Sequence, residues 1–241
     1  MRAGLLGGWG AVVLALWACA RAGGGNDDDY ALARERMLRE QIEARGVKDE
    51  PTLRALRRVR RELFVPPASA RAAYDDHPLP IGHGQTISQP YIVAFMTEAL
   101  GLRGGEKVLE VGTGSGYQAA VLAEIAARVY SIEIVAPLAR EAGERLARLG
   151  YANVEVRAGD GYAGWPEAAP FDAVMVTAAA PRIPRPLLEQ LKDGGRLVVP
   201  VGDEFQELRL VTRRGSRYDE VGLLPVRFVP MTGQVREPKQ R

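Results

Sequence analysis

The stretch VLEVGTGSGYQ, residues 108–118, decides the fold of this chain. A run of apolar residues typical of a buried strand, with one acid at Glu110, passes directly into the turn GTGSG. Glycine adopts positive φ without strain, and its missing side chain lets the backbone approach a small molecule closely. The apolar segment 119–127 then predicts a helix whose first amides face the same ligand. This order predicts a strand, a ligand-binding turn and a helix.

The spacing of the glycines indicates which ligand is bound. A dinucleotide-binding turn, GxGxxG, requires glycine at position 117, where this chain has Tyr117. The pattern GxGxG with an acid two residues ahead of it is typical of S-adenosylmethionine (SAM) methyltransferases. Glu110 can accept a hydrogen bond from the methionine ammonium of SAM, whereas it would repel a pyrophosphate. A glycine-rich turn alone also fits an ordinary structural loop, so other residues must decide.

Two further acids follow predicted strands. The β-branched and aromatic segment 129–132 ends at Glu133, where a carboxylate can bind both hydroxyls of a ribose, a feature that NAD enzymes share. The segment 154–157 runs into Asp160, which can accept a hydrogen bond from an adenine amino group. Each acid alone also fits a helix cap or a solvated loop residue. Together, at the carboxyl ends of successive strands, they predict one nucleoside-binding crevice.

Length and composition limit the other classes of function. With 241 residues and 46% hydrophobic content, the chain can bury one α/β core. A formal net charge of +2 gives no electrostatic reason to expect nucleic acid as a partner. The arginines between residues 54 and 61 fit a solvated helix face. We predict no metal site, and the single cysteine, Cys19, excludes an intramolecular disulfide.

The N-terminal residues 1–22 form a different kind of segment. A basic residue, an apolar run and then small residues follow one another in the order of a secretory signal. At ~1.5 Å per residue the apolar run is roughly 21–24 Å long, short of a ~30 Å hydrocarbon core. Residues 16–19 also resemble a lipoprotein box, so Cys19 is either a lipid acceptor or a small residue there by chance. Residues 23–29 predict a flexible polar linker, and 30–241 a single catalytic domain.

The periodicity of the remaining chain predicts the fold class. We expect a doubly wound, mostly parallel α/β sheet of the Rossmann-like type, with an N-terminal helical cap and a C-terminal antiparallel hairpin. Residues 79–90, rich in glycine, proline and polar side chains, predict a loop. The predicted helices include 31–45, 49–64 and 186–192, the later strands are 171–177 and 196–201, and the hairpin pairs 208–213 with 220–229.

Six segments, in this order, resemble the protein-L-isoaspartate O-methyltransferases, which are class I SAM-dependent methyltransferases. The resemblance runs from about residue 30 to 233, and the loop containing Thr86, Ile87 and Ser88 is its most specific part. His83 stands where many relatives have glutamine. The segments are GQTISQP (84–90), EVGTGSGYQ (110–118), GDGYAGW (159–165), PFDAVMVTAAAP (170–181), LKDGGRLVVPVG (191–202) and VRFVPMTG (226–233).

The resemblance implies an enzyme that transfers a methyl group from SAM to the free α-carboxylate of L-isoaspartyl residues in damaged proteins and peptides. The methyl ester then closes to a succinimide, which initiates repair. Ser88 matches the family's catalytic serine. The family's cofactor contacts map onto Gln85, Thr86, Ile87, Ser88, Glu110, Val111, Gly112, Thr113, Gly114, Glu133, Ile134, Asp160, Gly161 and Thr232.

The substrate is expected to lie against Ser88 and the segment that follows the fourth strand. Small side chains at Thr177, Ala178, Ala179 and Ala180 would let their backbone amides bind the main chain of a peptide, although a tight strand-to-helix connection explains them equally well. Two other functions stay open from the sequence: a SAM methyltransferase that acts on a small molecule, and a non-catalytic protein that binds modified peptides.

Two arguments about location conflict. SAM is made in the cytosol and the resembling family is cytosolic, which favours a cytoplasmic location. We also expect the protein to be a monomer. Residues 1–22 favour an exported or lipid-anchored periplasmic form, with membrane contact only if Cys19 is lipidated.

We expect the chain with its native N-terminus to fractionate with the cytosol, and the variant Cys19→Ala to behave identically. Cell fractionation, palmitate labelling and protease accessibility from the periplasm measure this. Membrane-bound, palmitate-labelled native protein beside an unlabelled variant would show the cytoplasmic assignment to be wrong.

Overall fold

The computed structural model describes residues 27–236. The signal-like segment 1–22, Cys19 and residues 23–26 of the expected linker lie outside the described residues. Within residues 27–236, no helix has both the length and the apolar character needed to cross a membrane.

The helical cap begins with α1 (Asp27–Arg36), which therefore starts inside the segment expected to be a linker. Three aspartates occupy its first turn, where negative side chains interact favourably with the helix dipole. The chain continues through a π-helical turn, Met37–Ile42, and a 3₁₀ turn, Glu43–Arg45. Gly46, at φ 94°, ends this helical stretch where the sequence predicts.

The second helix is shorter than the expected range 49–64. Helix α2 (Glu50–Arg58) begins at Asp49, whose carboxylate accepts a hydrogen bond from the amide of Thr52 at 3.1 Å. The chain leaves the helix at Val59, which has extended backbone angles, and forms a separate 3₁₀ turn, Arg61–Phe64. A further 3₁₀ turn, Pro67–Ala72, completes the cap.

Residues 79–90, expected to form a loop, contain a short hairpin instead. Strands β1 (Leu79–Gly82) and β2 (Gln85–Ile87) pair antiparallel. His83 and Gly84 join them at φ 51° and 69°, and two consecutive left-handed residues suit a tight hairpin turn. Helix α3 (Pro90–Leu100) follows with a proline in its first turn.

The remaining elements form the main sheet and the helices packed on it. In chain order they are β3 (Lys107–Val111), α4 (Tyr117–Ala123), β4 (Arg128–Glu133), α5 (Ala136–Arg148), β5 (Val154–Ala158), β6 (Phe171–Val176), α6 (Arg185–Glu189), β7 (Leu191–Val201), β8 (Gln206–Arg214) and β9 (Arg217–Val226). The sheet has seven strands in the order β5-β4-β3-β6-β7-β8-β9. The first five in this order run parallel, and the last two add antiparallel, which confirms the expected sheet with its C-terminal hairpin.

The direction of strand progression reverses beside β3. From β3 the chain adds β4 and β5 on one side, and then crosses to add β6 and β7 on the other. Loops leaving β3 and β6 therefore separate, which opens a crevice at the carboxyl ends of these strands. Apolar side chains such as Leu109 on β3 and Val174 on β6 are fully buried, so the crevice rests on a packed core.

The glycines Gly194 and Gly195 do not have the structural role expected from the sequence. The sequence predicts that Gly194 and Gly195 end a helix, but α6 already ends at Glu189 and the pair lies inside β7. A side chain at Gly195 would lie 2.9 Å from the carbonyl oxygen of Lys192 and 3.1 Å from that of Asp172. The pairing of β6 with β7 shifts register at this point, so glycine is needed for the close approach of the two backbones.

A fully buried arginine connects the cap with the rest of the molecule. Arg61 has no exposed surface. Its Nε donates a hydrogen bond to the carbonyl oxygen of Ala73 at 2.6 Å, and its Nη2 donates to that of Ser88 at 2.7 Å. The guanidinium also lies over the ring of Tyr117, 4.8 Å from its centroid. Arg61 therefore joins the cap, the residues after β2 and the first residue of α4.

Replacement Arg61→Ala is expected to lower the free energy of unfolding by about 3–5 kcal/mol, because one buried and one partly buried carbonyl lose their donor and a cavity remains. Urea unfolding measures this. Arg58→Ala is the matched control: its exposed ion pair with Glu124 should be worth less than about 1 kcal/mol. Equal, small losses in both variants would contradict a structural role for Arg61.

Candidate active site

A cavity lies at the carboxyl ends of β3, β4 and β6. Residues at the ends of these strands form its wall together with three other segments that are far apart in the chain: 85–86, Gly161 and 229–232. The lining residues are Gln85, Thr86, Val111, Gly112, Gly114, Ile132, Glu133, Ile134, Val135, Gly161, Thr177, Ala178, Val229, Pro230, Met231 and Thr232.

The glycine turn after β3 is held from both neighbouring strands. The amide of Gly112 donates to the carbonyl of Ile132 at 2.8 Å, on the β4 side. On the β6 side, Thr177 Oγ1 donates to the carbonyl of Gly112 at 2.5 Å. A side chain at Gly112, which has φ 100°, would approach Thr177 Oγ1 to 2.3 Å. Only glycine fits this position, as the spacing of the motif predicts.

Glu133 is the acidic residue of the cavity. Its side chain is nearly buried, and each oxygen accepts one backbone amide: Oε2 from Gly114 at 2.8 Å and Oε1 from Val135 at 3.0 Å. A carboxylate oxygen has two lone pairs, so both oxygens retain capacity to accept a ligand hydroxyl. Glu133 thus shapes the glycine turn and also offers acceptors to the cavity.

The charge of the cavity restricts its ligand. Among the described residues that line it, Glu133 is the only one with an ionisable side chain, and none is lysine, arginine or histidine. A phosphate or pyrophosphate would meet a carboxylate without a compensating cation. The cavity therefore favours a ligand with hydroxyl groups and positive charge.

Glu110 does not line this cavity, although the sequence assigns it to the ligand's ammonium. It is fully buried behind the glycine turn and accepts a hydrogen bond from Ser131 Oγ, which lies 2.5 Å from Thr113 Oγ1. Its other oxygen, Oε1, has no hydrogen-bond partner among the described residues. Burial raises the pKa of Glu110 to about 8, opposed by the bond from Ser131 and assisted by the charge of Glu133. The carboxyl is therefore protonated at neutral pH.

Asp160 also lies outside the cavity. Its Oδ1 accepts from the amide of Tyr162 at 2.9 Å, and its Oδ2 accepts from the amide of Gln234 at 2.7 Å. The carboxylate therefore holds the segment that follows β9, and the neighbouring Gly161 contacts the ligand space instead. Ile87 and Thr113, also assigned to the cofactor from the sequence, are buried beside the cavity and do not line it.

A wider groove adjoins the cavity. Ser88 lines this groove and not the cavity, so its position suits a substrate contact better than a cofactor contact. Thr86, Thr177 and Val229 line both spaces. The two spaces therefore meet at these residues.

The substrate contact expected at Ala179 and Ala180 is not available. Both side chains are fully buried. The amide of Ala179 donates to the carbonyl of Val229 and its carbonyl accepts from Met231, both at 2.8 Å, while the amide of Ala180 donates to Pro200 at 3.0 Å. These backbone groups are used within the protein, which leaves Thr177 and Ala178 as the members of the segment that face a ligand space.

Sequence reasoning missed the contribution of residues 229–231 to the cavity wall. The segment is placed there by its hydrogen bonds to Ala179 and by an isolated bridge between Ala179 and Pro230. Only Thr232 was expected in this region. The motif VRFVPMTG marks the segment, but no local pattern indicates that it pairs with the end of β6. Within residues 27–236, no group of three or more His, Cys, Asp or Glu side chains could hold a metal ion.

Comparison with known proteins agrees with the family expected from the sequence segments. The family model described as protein-L-isoaspartate(D-aspartate) O-methyltransferase (PCMT) matches residues 32–236. The chain is 60% identical over 201 residues to a protein-L-isoaspartate O-methyltransferase of Opitutus terrae, covering 83% of this chain and 86% of the relative. It is 56% identical over 211 residues to protein-L-isoaspartate O-methyltransferase 2 of Shewanella sediminis, covering 87% and 86%.

Solved structures give the same result at the level of the fold. A protein-L-isoaspartate O-methyltransferase superposes with a TM-score of 0.77 at 32% identity, over 84% of this chain and 67% of that chain. A Plasmodium falciparum protein solved in complex with S-adenosyl-L-homocysteine superposes with a TM-score of 0.72 at 24% identity, over 84% and 98%.

Replacement Glu110→Gln is expected to flatten the pH dependence of stability. Folded Glu110 keeps its proton up to about pH 8, whereas in the unfolded chain it ionises near its ordinary pKa. Its contribution to stability is thus fully present below about pH 4 and is lost as pH rises through 8. Relative to the variant, the native chain should lose up to about 1.4 kcal/mol of unfolding free energy per pH unit between roughly pH 5 and 8.

Urea unfolding at several pH values in this window measures the difference. The exposed Glu141→Gln serves as the matched control and should keep the slope of the native chain. Parallel stability curves for the native chain and Glu110→Gln would mean that Glu110 is ionised in the folded protein.

Proposed function

The chain belongs to the protein-L-isoaspartate(D-aspartate) O-methyltransferase family, and we infer from this that it transfers a methyl group from SAM to isoaspartyl residues of damaged proteins and peptides. The structural observation that supports this inference is that the cavity and the groove are connected. A cavity suited to a cationic nucleoside adjoins a groove bearing Ser88, and they join at Thr86, Thr177 and Val229.

The residues that line the cavity fit SAM. Glu133 offers acceptors for the ribose hydroxyls, and no lysine or arginine among the described lining residues opposes a positively charged ligand. Gly161 has no room for a side chain, because a Cβ there would lie 2.3 Å from Val111 Cγ1. The residues that we assign to binding the cofactor are Gln85, Thr86, Gly112, Gly114, Glu133, Gly161 and Thr232. When bound, SAM supplies an electrophilic methyl group carried on a sulfonium.

The nucleophile needs little chemical activation. The free α-carboxylate of an isoaspartyl residue has a pKa near ~4 and is already ionised at neutral pH. A strong general base is therefore unnecessary. The contribution of the protein lies in bringing the carboxylate to the junction of groove and cavity in the right orientation, and in excluding water from it.

Ser88 is the group that we assign to orienting the carboxylate. It lines the groove beside the junction, and a hydroxyl can donate a hydrogen bond to a carboxylate oxygen. Its backbone is fixed because its carbonyl accepts from the buried guanidinium of Arg61. Thr177 also reaches the junction, but its hydroxyl donates to the carbonyls of Val111 and Gly112 and is already engaged.

Esterification explains how methylation begins repair. Methylation replaces the ionised carboxylate with an ester whose leaving group is methoxide. The neighbouring amide nitrogen can then attack the ester carbonyl and expel methanol, which closes a succinimide without further help from the enzyme. Hydrolysis of the succinimide returns part of the damaged residue to normal aspartate.

The compartment stays a proposal. We assign the enzyme to the cytoplasm, because the reaction consumes SAM, and the lipid-anchored or exported form remains the alternative raised by residues 1–22. We further propose that it acts as a monomer, since the cavity and the groove are both built from one chain.

Labelled methyl transfer from SAM tests the activity directly. Two peptides that differ only in carrying isoaspartate or normal aspartate are the substrates. We expect a base-labile methyl ester on the isoaspartyl peptide alone, because only that isomer presents a free α-carboxylate at the damaged residue. Equal labelling of both peptides, or of neither, contradicts the proposed function; methylation of small molecules alone would support a different methyltransferase.

Two substitutions separate cofactor binding from methyl transfer. Glu133→Gln loses the charge and one of the two oxygens that accept backbone amides, so SAM affinity should fall roughly 10- to 150-fold, as expected for about 1.5–3 kcal/mol. Ser88→Ala should leave SAM affinity within a few-fold and lower turnover instead. Calorimetry and initial rates measure the two effects. Loss of SAM binding in Ser88→Ala, with normal binding in Glu133→Gln, would reverse both assignments.

A further inference from the structure

The groove beside Ser88 carries a charge pattern that methyl transfer itself does not require. Two arginines, Arg45 and Arg227, line it, and none of the described residues lining it is aspartate or glutamate. Apolar side chains, including Ile92 and Phe228, form much of the rest of its surface. The groove therefore favours a peptide with apolar and anionic side chains over one with cationic side chains.

Arg227 is the arginine with unused hydrogen-bonding capacity. It is exposed, and no hydrogen bond or ion pair to another residue within 27–236 engages its side chain. Its backbone is nonetheless fixed through the next residue. Gln206 accepts from the amide of Phe228 at 2.6 Å and donates to its carbonyl at 3.2 Å. The guanidinium can thus reach into the groove from a defined position.

Arg45 is a second cation on the same groove, held more tightly. Its guanidinium lies 3.4 Å from the ring centroid of Tyr91, and its Nη1 donates to Asp76 at 3.0 Å. The ion pair with Asp76 offsets part of its charge, but a guanidinium has five N–H donors and retains several for a ligand. Arg45 therefore adds to the positive potential that Arg227 creates.

The distance along the chain indicates which part of a substrate Arg227 meets. Val229, at the junction of groove and cavity, is two residues away, which is at most about 7 Å of extended backbone. An extended peptide advances by roughly 3.3–3.6 Å per residue. With the isoaspartyl carboxylate at the junction, the side chain nearest Arg227 belongs to a residue one or two positions away.

We propose that Arg227, assisted by Arg45, determines substrate specificity by binding an anionic side chain of the peptide next to the isoaspartyl residue. This rests on the proposed function, because it assigns the groove to an isoaspartyl peptide. The reacting carboxylate is a separate group and stays with Ser88. Peptides with glutamate beside the isoaspartate are the preferred substrates, and peptides with lysine there are the poorest.

Matched isoaspartyl peptides test this, with glutamate, glutamine or lysine placed one position before or after the isoaspartate. For the native enzyme we expect KM for a glutamate peptide to be roughly three- to fivefold lower than for its glutamine twin, with similar kcat, as exposed ion pairs allow. Arg227→Gln should abolish this difference. Arg227→Glu should reverse it in favour of the lysine peptide, a result that loss of structure would not produce.

The control variant is Arg217→Gln, at the other end of β9 and outside the groove, which should keep the native preference. High salt should reduce the preference of the native enzyme. Equal KM values for the glutamate, glutamine and lysine peptides, or a preference that survives Arg227→Glu, overturn the inference and leave the proposed function intact. No methylation of any isoaspartyl peptide overturns both.

Discussion

The buried guanidinium of Arg61 fixes the position of Ser88 in the groove relative to the helix that follows the glycine turn. Taking the charge of Arg61 out of water is costly, so its partners must be fixed and well placed. Those partners are the carbonyls of Ala73 and Ser88, with the ring of Tyr117 below them. Tyr117 begins the helix that follows the glycine turn. Ser88 in the groove and the glycine turn beside the cavity are thus connected through one side chain contributed by the helical cap.

The sequence predicted the parts of the structure that depend on local pattern. Apolar and β-branched runs followed by acids predicted the parallel sheet. The glycines after β3 predicted a turn that only glycine can form, as the contact between Gly112 and Thr177 explains. It failed where hydrogen bonding between backbone segments decides the structure, both within one hairpin and between distant parts of the chain. Residues 79–90 form a hairpin because left-handed angles at His83 and Gly84 allow the strands to pair, and Ala179 is unavailable to a substrate because it pairs with Val229 and Met231.

Three acids that look equivalent in the sequence have different environments. Glu133 faces the cavity, Asp160 binds the backbone of the segment after β9, and Glu110 is buried with its pKa raised to about 8. Position at a strand end predicts that an acid lies near the crevice, but its burial and hydrogen bonds decide whether it faces a ligand or supports the protein backbone. The result is a site with separated charge: among the described residues, one carboxylate lines the cavity, and two arginines but no carboxylate line the groove. This separation matches a reaction between a cationic donor and an anionic acceptor.

The pairing of Val229 and Met231 with Ala179 also has a consequence for biosynthesis. The nine strands within residues 27–236 all precede this segment, so a growing polypeptide contains the whole sheet before this part of the cavity wall is synthesised. A polypeptide that ends before Val229 contains every residue of these strands but lacks residues 229–232 of the cavity wall. The complete cavity wall is therefore found only in polypeptides whose synthesis has passed this point.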